Sequence, residues 1–239
     1  MNECSGLGLG FVGVAEHGDS GGAAYVRWPD GRAGVVTRWP GSRGQLQQTA
    51  EVLAFARSKE LPVPRQEAVV AIDDGSLAVV QERLDGRPSA RVDAAVIDAT
   101  VAVNERFAGL LADRPDVPIP PMWLRESAPV FPRHELLATH SDRSRRLLER
   151  IRAIGALEPH EMTGDDLVHP DFTFRNVLYD CDGHVSGVVD WNWGVGRGTA
   201  GSRWYGSVST CGGARSDPTA GSTAYSSRRS TGSTRYYRK

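Results

Sequence analysis

Residues 167–194 read LVHPDFTFRNVLYDCDGHVSGVVDWNWG, and this stretch decides both the fold class and the candidate chemistry. It carries Asp171, with Asn176 five positions later. Two apolar runs, NVLYD and HVSGVVDW, flank the turn-forming tripeptide Cys-Asp-Gly, a pattern that predicts a β-hairpin. A hairpin here would return Asp190 to the neighbourhood of Asp171 and Asn176.

These three polar residues have the chemistry of phosphoryl transfer. That reaction needs a carboxylate to accept the proton of the attacking hydroxyl, and oxygen ligands that hold magnesium against the phosphates. Asp171 is the candidate base, and Asn176 and Asp190 are the candidate metal ligands. A single aspartate at the end of a strand is more often a cap or a turn residue. The combination of spacing, hairpin and second aspartate is much more specific.

Two motifs in this stretch resemble a known family. HPDFTFRNVL (169–178) is similar to H-x-D-x-x-x-x-N-V-L, and VVDW (188–191) is similar to V-x-D-W, of the aminoglycoside phosphotransferase and choline kinase-like family. AEVLAFARSKELPVPR (50–65) resembles that family's first-lobe helix and its following loop, and LAVVQERLDGRP (77–88) resembles its hinge. The resemblance covers roughly residues 10–198.

The resemblance implies an α+β, bilobal protein kinase-like fold. A β-rich, nucleotide-binding N-lobe would span residues 1–84, and an α-rich C-lobe with the catalytic loop would span residues 85–198. Several further helices are expected after Asp190, so we expect an incomplete C-lobe in this chain. Residues 199–239 would form a separate tail.

The same resemblance implies the reaction and its partners. ATP and magnesium would be the cofactors, and the acceptor would be a hydroxyl of a small molecule. The nucleotide would lie near the hinge residues Gln81, Glu82 and Leu84. Asp171 would be the catalytic base, with Asn176 and Asp190 as magnesium ligands. His169, the first residue of the motif, would orient the loop.

The sequence departs from the family at several places. The loop holds Thr173, Phe174 and Arg175 where the family has a histidine and a glycine, and an arginine in place of a glycine predicts a strained or displaced loop. The alternative interpretation is that Arg175 contacts phosphate.

The family's phosphate-binding lysine and its glutamate partner are also altered. Strand GVVTRW (34–39) offers Arg38 where the family has a lysine. In the family, a glutamate on the following helix is the partner of this lysine. Its position would fall near Thr49 in this sequence, and Glu51, two residues away, lies on a different helix face.

The remaining pattern gives the element order. Residues 11–39 predict strands with a turn at Pro29-Asp30-Gly31, residues 45–60 a helix, and residues 67–83 a second hairpin. Apolar residues at steps of three or four then predict longer helices, first over residues 92–107 and again over residues 147–154, with Gly155 as the C-cap.

Composition excludes several classes of protein. The 239 residues carry a formal net charge of −1, which gives no case for nucleic acid or an anionic membrane as a partner. Three distant cysteines argue against a disulfide framework or a zinc site and predict a cytoplasmic protein. The N-terminal stretch lacks the basic region of a signal peptide, and no apolar run is long enough to span a membrane.

The tail from Thr199 has a different composition. It contains no Leu, Ile, Met or Phe, and one acidic residue, Asp217, against seven Arg and Lys. Such a segment cannot bury enough apolar area to offset its ordering entropy, so one interpretation is a disordered basic tail. The other is a frameshift near residues 196–199: read one base earlier, codons for residues 198–207 can encode Asp-Arg-Gly-Leu-Ala-Leu-Val-Arg-Leu.

Two functions follow from these observations. The first is an ATP- and magnesium-dependent phosphotransferase that acts on a hydroxyl of a small molecule. The second is a catalytically inactive kinase-like protein, or a nucleotide-binding remnant, because the altered loop and the missing helix glutamate would weaken catalysis. A thermal melt with and without Mg-ATP separates a nucleotide binder from a remnant.

The frameshift hypothesis is tested by resequencing the gene across the codons for residues 190–204. We expect one inserted or missing base, followed by a frame that encodes apolar helices. An uninterrupted frame that matches the present sequence would contradict the hypothesis.

Overall fold

The first lobe is built on an antiparallel sheet. The computed structural model describes residues 6–15, 22–72, 74–128 and 133–199. The sheet has five strands in the order β1-β2-β3-β5-β4. The strands are β1 Gly10–Val14, β2 Ala23–Arg27, β3 Ala33–Trp39, β4 Gln66–Ala71 and β5 Leu77–Glu82.

Tight turns join the neighbouring strands where the sequence predicts them. Gly31, with φ +88°, turns β2 into β3, and Gly75, with φ +82°, turns β4 into β5. Glycine adopts these left-handed conformations without the steric penalty of a Cβ atom. Both predicted hairpins are therefore confirmed. Residues 16–21, between β1 and β2, lie outside the described residues.

Helix α1, Arg43–Ser58, follows β3 and ties the sheet to the second lobe. It begins with a capping box in which Ser42 and Gln45 satisfy each other's backbone N–H groups. Its Leu46 packs with Trp39, Leu77 and Val79 of the sheet. Its next buried turns join the largest apolar cluster, which is shared with the second lobe and includes Val52, Leu53, Ala56, Phe107, Leu167, Val188 and Trp191.

The second lobe combines helices with short strands. Its helices are α2 Ala94–Glu105, α3 His134–His140 and α4 Asp142–Leu157. Its strands are β6 Asp166–Val168, β7 Val177–Tyr179, β8 Val185–Val188 and β9 Gly196–Gly198, with a 3-10 turn at Phe174–Asn176. β7 pairs with β8 and β6 pairs with β9, both antiparallel. The predicted α+β, two-lobed architecture is confirmed.

The connection between the lobes is short. Residue 84, the predicted lobe boundary, lies between β5 and α2. The Val188 backbone N–H donates to the Pro62 carbonyl at 2.7 Å, so the hairpin of the second lobe is also bonded to the loop after α1. Residues 200–239 lie outside the described residues, and the predictions for the tail fall on this part of the chain.

Helix α4 differs from its predicted form. Gly155 is not a C-cap: the helix continues to Leu157, and Gly155 is buried inside it. A Cβ atom at Gly155 would lie 2.7 Å from the Leu124 Cβ atom, so glycine is required there for close packing. Leu147 and Ile154 of the predicted apolar face are about half exposed, at 51% and 54%, and Leu148 is the leucine that is buried.

The sequence predicts no apolar run long enough to span a membrane. Over the described ranges, every helix is too short or too polar to cross a lipid bilayer.

The same substitution at two helical glycines should have opposite effects on stability. We expect Gly155→Ala to lower the free energy of unfolding by about 1–3 kcal/mol, because the new methyl group overlaps Leu124. Gly44→Ala in α1 meets only the Ser42 side-chain oxygen at 3.9 Å and should raise it by roughly 0.4–1 kcal/mol. Urea titrations of both variants measure the difference. A stabilising Gly155→Ala would contradict the close packing.

Candidate active site

The β7–β8 hairpin brings the candidate residues to one place. Val177 pairs with Val188, and the Val189 backbone N–H donates to the Asn176 carbonyl at 2.8 Å. Asn176 therefore immediately precedes one strand of the hairpin, and Asp190 closely follows the other. Val177, Tyr179 and Val188 of the two strands lie in the core.

Asp171 and Asn176 are in direct contact. The Asn176 Nδ2 atom donates to the Asp171 carboxylate at 3.1 Å and to the Asp171 carbonyl at 2.9 Å. This orientation turns the Asn176 Oδ1 atom away from Asp171. The Asp171 residue is exposed, so its carboxylate is accessible to a substrate.

His169 is the buried support of the loop. Its Nδ1 atom accepts from the Asp171 backbone N–H at 2.9 Å, and its Nε2 atom lies 2.9 Å from the Val189 carbonyl. Accepting at Nδ1 requires the tautomer that donates from Nε2. Burial lowers the pKa of the imidazole to about 4, so His169 is neutral at physiological pH. Its ring also packs against Phe172 and Trp191. Both ring nitrogens of His169 are thus engaged with the backbone of residues 171 and 189.

Asp190 is a half-buried carboxylate in an unusual backbone conformation. Its φ is +66°, which aspartate tolerates better than most residues. Burial raises the pKa of the Asp190 carboxyl, and the nearby Asp171 charge raises it further. A hydrogen bond from Asn192 opposes this shift. A cation near the Asp190 carboxylate would offset both effects.

The loop accommodates Arg175 without strain. Residues 174–176 form a 3-10 turn, and Arg175 is not among the described residues with positive φ. The expected strain from an arginine at a glycine position is therefore wrong, because this turn requires no left-handed residue. The Arg175 side chain is exposed.

Strand β3 presents Thr37, and not Arg38, to the site. Side chains alternate along a strand, so neighbouring residues face opposite sides of the sheet. Arg38 is exposed and pairs with Asp74 at 3.0 Å. Thr37 is buried, and its hydroxyl donates to the Asn192 side-chain oxygen at 2.8 Å. The structure does not bring Arg38 together with Asp171.

The three hinge residues have different surroundings. Gln81 is buried and donates to the Thr37 hydroxyl at 3.1 Å. The Glu82 carboxylate accepts from Arg57 of α1 at 2.8 Å. Leu84 lines a cavity of about 190 Å³ with Ala33, Arg83, Asp85 and Gly86. Gln81 is thus connected to the site, Glu82 is turned toward α1, and Leu84 lies at a cavity.

Helix α1 contributes an uncharged side chain near the site. Thr49 is buried, its hydroxyl donates to the Gln45 carbonyl, and a Cβ atom at Gly194 would lie 3.6 Å from it. Glu51 accepts from Gln47 on the exposed face of the helix. The predicted displacement of Glu51 from the site is confirmed.

The two tryptophans after Asp190 differ. Trp191 is buried and packs edge-on against Phe107. Trp193 is about half exposed and lines a cavity with residues of α1.

Sequence reasoning missed Thr37 and Asn192. Asn192 donates from Nδ2 to the Asp190 carboxylate at 2.7 Å and accepts from Thr37. The signal that could have identified Thr37 is the two-residue period of a strand, which places Thr37 on the same face as Trp39 and opposite to Arg38. The position of Asn192 two residues after the candidate metal ligand gave no comparable signal.

The arrangement combines an exposed carboxylate, an amide and a second carboxylate that favours a cation. These groups can accept a proton from a hydroxyl and hold a divalent metal ion through oxygen atoms.

The fold is similar to that of solved antibiotic kinases. An aminoglycoside-3'-phosphotransferase of type VIII matches with TM-score 0.56 at 22% identity, over 84% of this chain and 77% of that chain. A thermostable mutant of aminoglycoside phosphotransferase APH(4)-Ia, with ADP and hygromycin B, matches with TM-score 0.58 at 16% identity, over 82% and 70%. Amicoumacin kinase hAmiN, with AMP-PNP, Ca²⁺ and Ami, matches with TM-score 0.56 at 15% identity, over 82% and 63%.

These likenesses show a protein kinase-like fold. No curated protein sequence matches the chain. The family model described as "Phosphotransferase enzyme family" matches residues 16–205, which is most of the chain. The chain therefore belongs to the phosphotransferase enzyme family.

Proposed function

We propose that this protein transfers the terminal phosphoryl group of ATP to a hydroxyl of a small molecule in a magnesium-dependent reaction. One observation carries the proposal: Asp171 is bonded to Asn176, and the β7–β8 hairpin joins Asn176 to Asp190. This geometry provides a base and two oxygen ligands at one place. Membership of the phosphotransferase family supports the reaction class.

Asp171 is the proposed base. Its carboxylate is exposed and can accept the proton of the acceptor hydroxyl as the oxygen attacks phosphorus. The hydrogen bond from Asn176 orients one carboxylate oxygen, and the bond from the Asp171 N–H to His169 holds the loop. In this arrangement the chain supplies position and charge, which are the main requirements of phosphoryl transfer.

Asn176 and Asp190 fit a magnesium ion. Their side-chain oxygens are the ligand type that magnesium prefers. The raised pKa of Asp190, caused by burial and by the Asp171 charge, is the electrostatic sign of a site that a cation would relieve. When bound, magnesium would neutralise phosphate charge. Asn176 and Asp190 would hold it.

The nucleotide is proposed to bind between the lobes at the hinge. Val35 lies on the same face of β3 as Thr37 and is half-buried. Leu84 and Leu178 both lie close to Gly187, where a Cβ atom would be 2.9 Å and 3.1 Å from their Cδ1 atoms. These apolar side chains are the proposed walls for the adenine ring, with Gln81 at the inner end. We propose no nucleotide contact for Arg38, and Glu82 would act through the hinge backbone.

The acceptor is proposed to be a small molecule that carries a hydroxyl group. Of the similar structures, one contains hygromycin B and another contains Ami, bound to the amicoumacin kinase. These neighbours support an antibiotic-like acceptor as the first class to assay. Nucleic acid is not proposed as a substrate because the net charge of −1 provides no basic surface overall.

A nucleotide-binding protein without activity is the second candidate. Arg38 on β3 and Thr49 on α1 stand where the family resemblance implies a lysine and a glutamate, and Arg38 pairs with Asp74 instead of facing the site. Loss of that ion pair removes a positive charge from the phosphate site. Turnover and nucleotide binding must therefore be measured separately.

Removing the proposed base should abolish turnover. We expect Asp171→Ala to lower kcat by about 10²–10⁴-fold because the proposed acceptor of the hydroxyl proton is lost. Phosphate transfer from radiolabelled ATP to a panel of aminoglycosides measures it. The matched control is Asp182→Ala, an exposed aspartate in the β7–β8 turn, which should keep the wild-type rate. Wild-type turnover in Asp171→Ala would remove Asp171 from its role.

Nucleotide binding should stabilise the fold only with magnesium. At about 100 times the dissociation constant, Mg-ATP should add about 2.7 kcal/mol to the free energy of unfolding. We expect Asp190→Asn to lose most of this increase, because the amide supplies no negative charge to the metal. Thermal melts with Mg-ATP and with ATP plus EDTA measure both effects.

The same melts separate the two candidate functions. Stabilisation by Mg-ATP without turnover of any acceptor would favour the inactive nucleotide binder. The absence of any stabilisation in the wild-type protein would contradict both nucleotide-binding functions.

A further inference from the structure

A chain of three side-chain hydrogen bonds joins the first-lobe sheet to Asp190. Gln81 Nε2 donates to Thr37 Oγ1 at 3.1 Å, Thr37 Oγ1 donates to Asn192 Oδ1 at 2.8 Å, and Asn192 Nδ2 donates to Asp190 Oδ1 at 2.7 Å. We define Gln81, Thr37 and Asn192 as the relay. It starts on β5, crosses β3 and ends on the loop after β8.

The bond between Asn192 and Asp190 sets the direction of the other bonds in the relay. The Asn192 NH₂ group donates to the Asp190 Oδ1 atom, which accepts. The amide oxygen of Asn192 then faces Thr37, and the Thr37 hydroxyl must donate to it. The remaining lone pairs of that hydroxyl accept from Gln81. All donors and acceptors are consistent, which favours one arrangement of the four groups.

The relay lies where water competes poorly. Gln81 and Thr37 are 7% and 8% exposed, and Asn192 is half-buried. Hydrogen bonds in such surroundings are costly to break, because a buried partner is left unsatisfied. Thr37 and Asn192 are 155 positions apart in the chain, so this contact holds the two lobes in one relative position at the site.

Asp190 needs such support because of its backbone. A non-glycine residue with φ +66° is in a sparsely populated conformation, and it remains there only when its surroundings determine it. The Asn192 side chain donates to Oδ1 and so holds one oxygen of this carboxylate in place.

We propose that Thr37 and Asn192 are positioning residues that orient the Asp190 carboxylate toward the metal. This orientation then depends on the contact between the two lobes. This inference rests on the proposed function, in which Asp190 holds magnesium. Thr37 and Asn192 touch neither ATP nor acceptor in this role. They link β3 to the metal ligand through neutral hydrogen bonds.

The test measures the magnesium concentration at half-maximal nucleotide-induced stabilisation, using ADP as the probe. We expect Thr37→Val, which keeps the shape and loses the hydroxyl, to raise this concentration about tenfold, the equivalent of one hydrogen bond. Thr37→Ser keeps the hydroxyl and should restore a value within about threefold of wild type. Equal values for Thr37→Val and wild type would overturn the relay.

A matched control separates positioning from stability. Thr100 is fully buried in α2, and its hydroxyl bonds to the Tyr179 hydroxyl at 2.6 Å, so it makes no bond within the relay. Thr100→Val should lower Tm and leave the magnesium requirement unchanged. A similar rise in both valine variants would assign the effect to general loss of stability and overturn the proposal.

A double-mutant cycle tests whether the relay acts as one unit. We expect Asn192→Leu to raise the magnesium requirement, and the double variant with Thr37→Val to add less than the sum of the two single effects. Strict additivity would overturn coupling through the relay. If the wild-type protein shows no magnesium-dependent stabilisation by ADP, the proposed function fails and the relay has no metal ligand to position. If wild type responds and the variants match it, only the relay fails.

Discussion

The backbone of Val189 links the residues of the site. The Val189 N–H donates to the Asn176 carbonyl, and the Val189 C=O lies 2.9 Å from His169 Nε2. His169 in turn accepts from the Asp171 N–H. One residue therefore fixes the proposed base and one proposed metal ligand relative to Asp190, the next residue in the chain. Because His169 is buried and neutral, this frame does not change with pH near neutrality.

Helix α1 connects these residues to the first lobe through apolar packing. One part of its buried face packs on the sheet, and another part packs in the core that contains Val188 and Trp191. The lobes are thus not independent units joined only by a hinge. The relay from Gln81 to Asp190 adds a polar link where the apolar core ends. Apolar packing sets the distance between the lobes, and hydrogen bonds set the orientation of the groups between them.

The departures from the family pattern have different consequences. Arg175 in place of glycine is harmless to the backbone because the loop forms a 3-10 turn there. The altered ion pair is more consequential. Arg38 stands in place of the expected lysine but pairs with Asp74, and Thr49 stands in place of the expected glutamate and bonds to the Gln45 carbonyl.

The sequence by itself determined the hairpins, helix α1 and the grouping of Asp171, Asn176 and Asp190. These depend on local rules: turn residues, periodicity, and a short hairpin that joins nearby positions. The role of Gly155, which lies inside α4 and packs closely on Leu124, and the choice of Thr37 over Arg38 depend on the tertiary structure. A strand offers two faces, and only packing against α1 and the second lobe selects one. The bond between Thr37 and Asn192 joins distant positions, and no local pattern specifies such a contact.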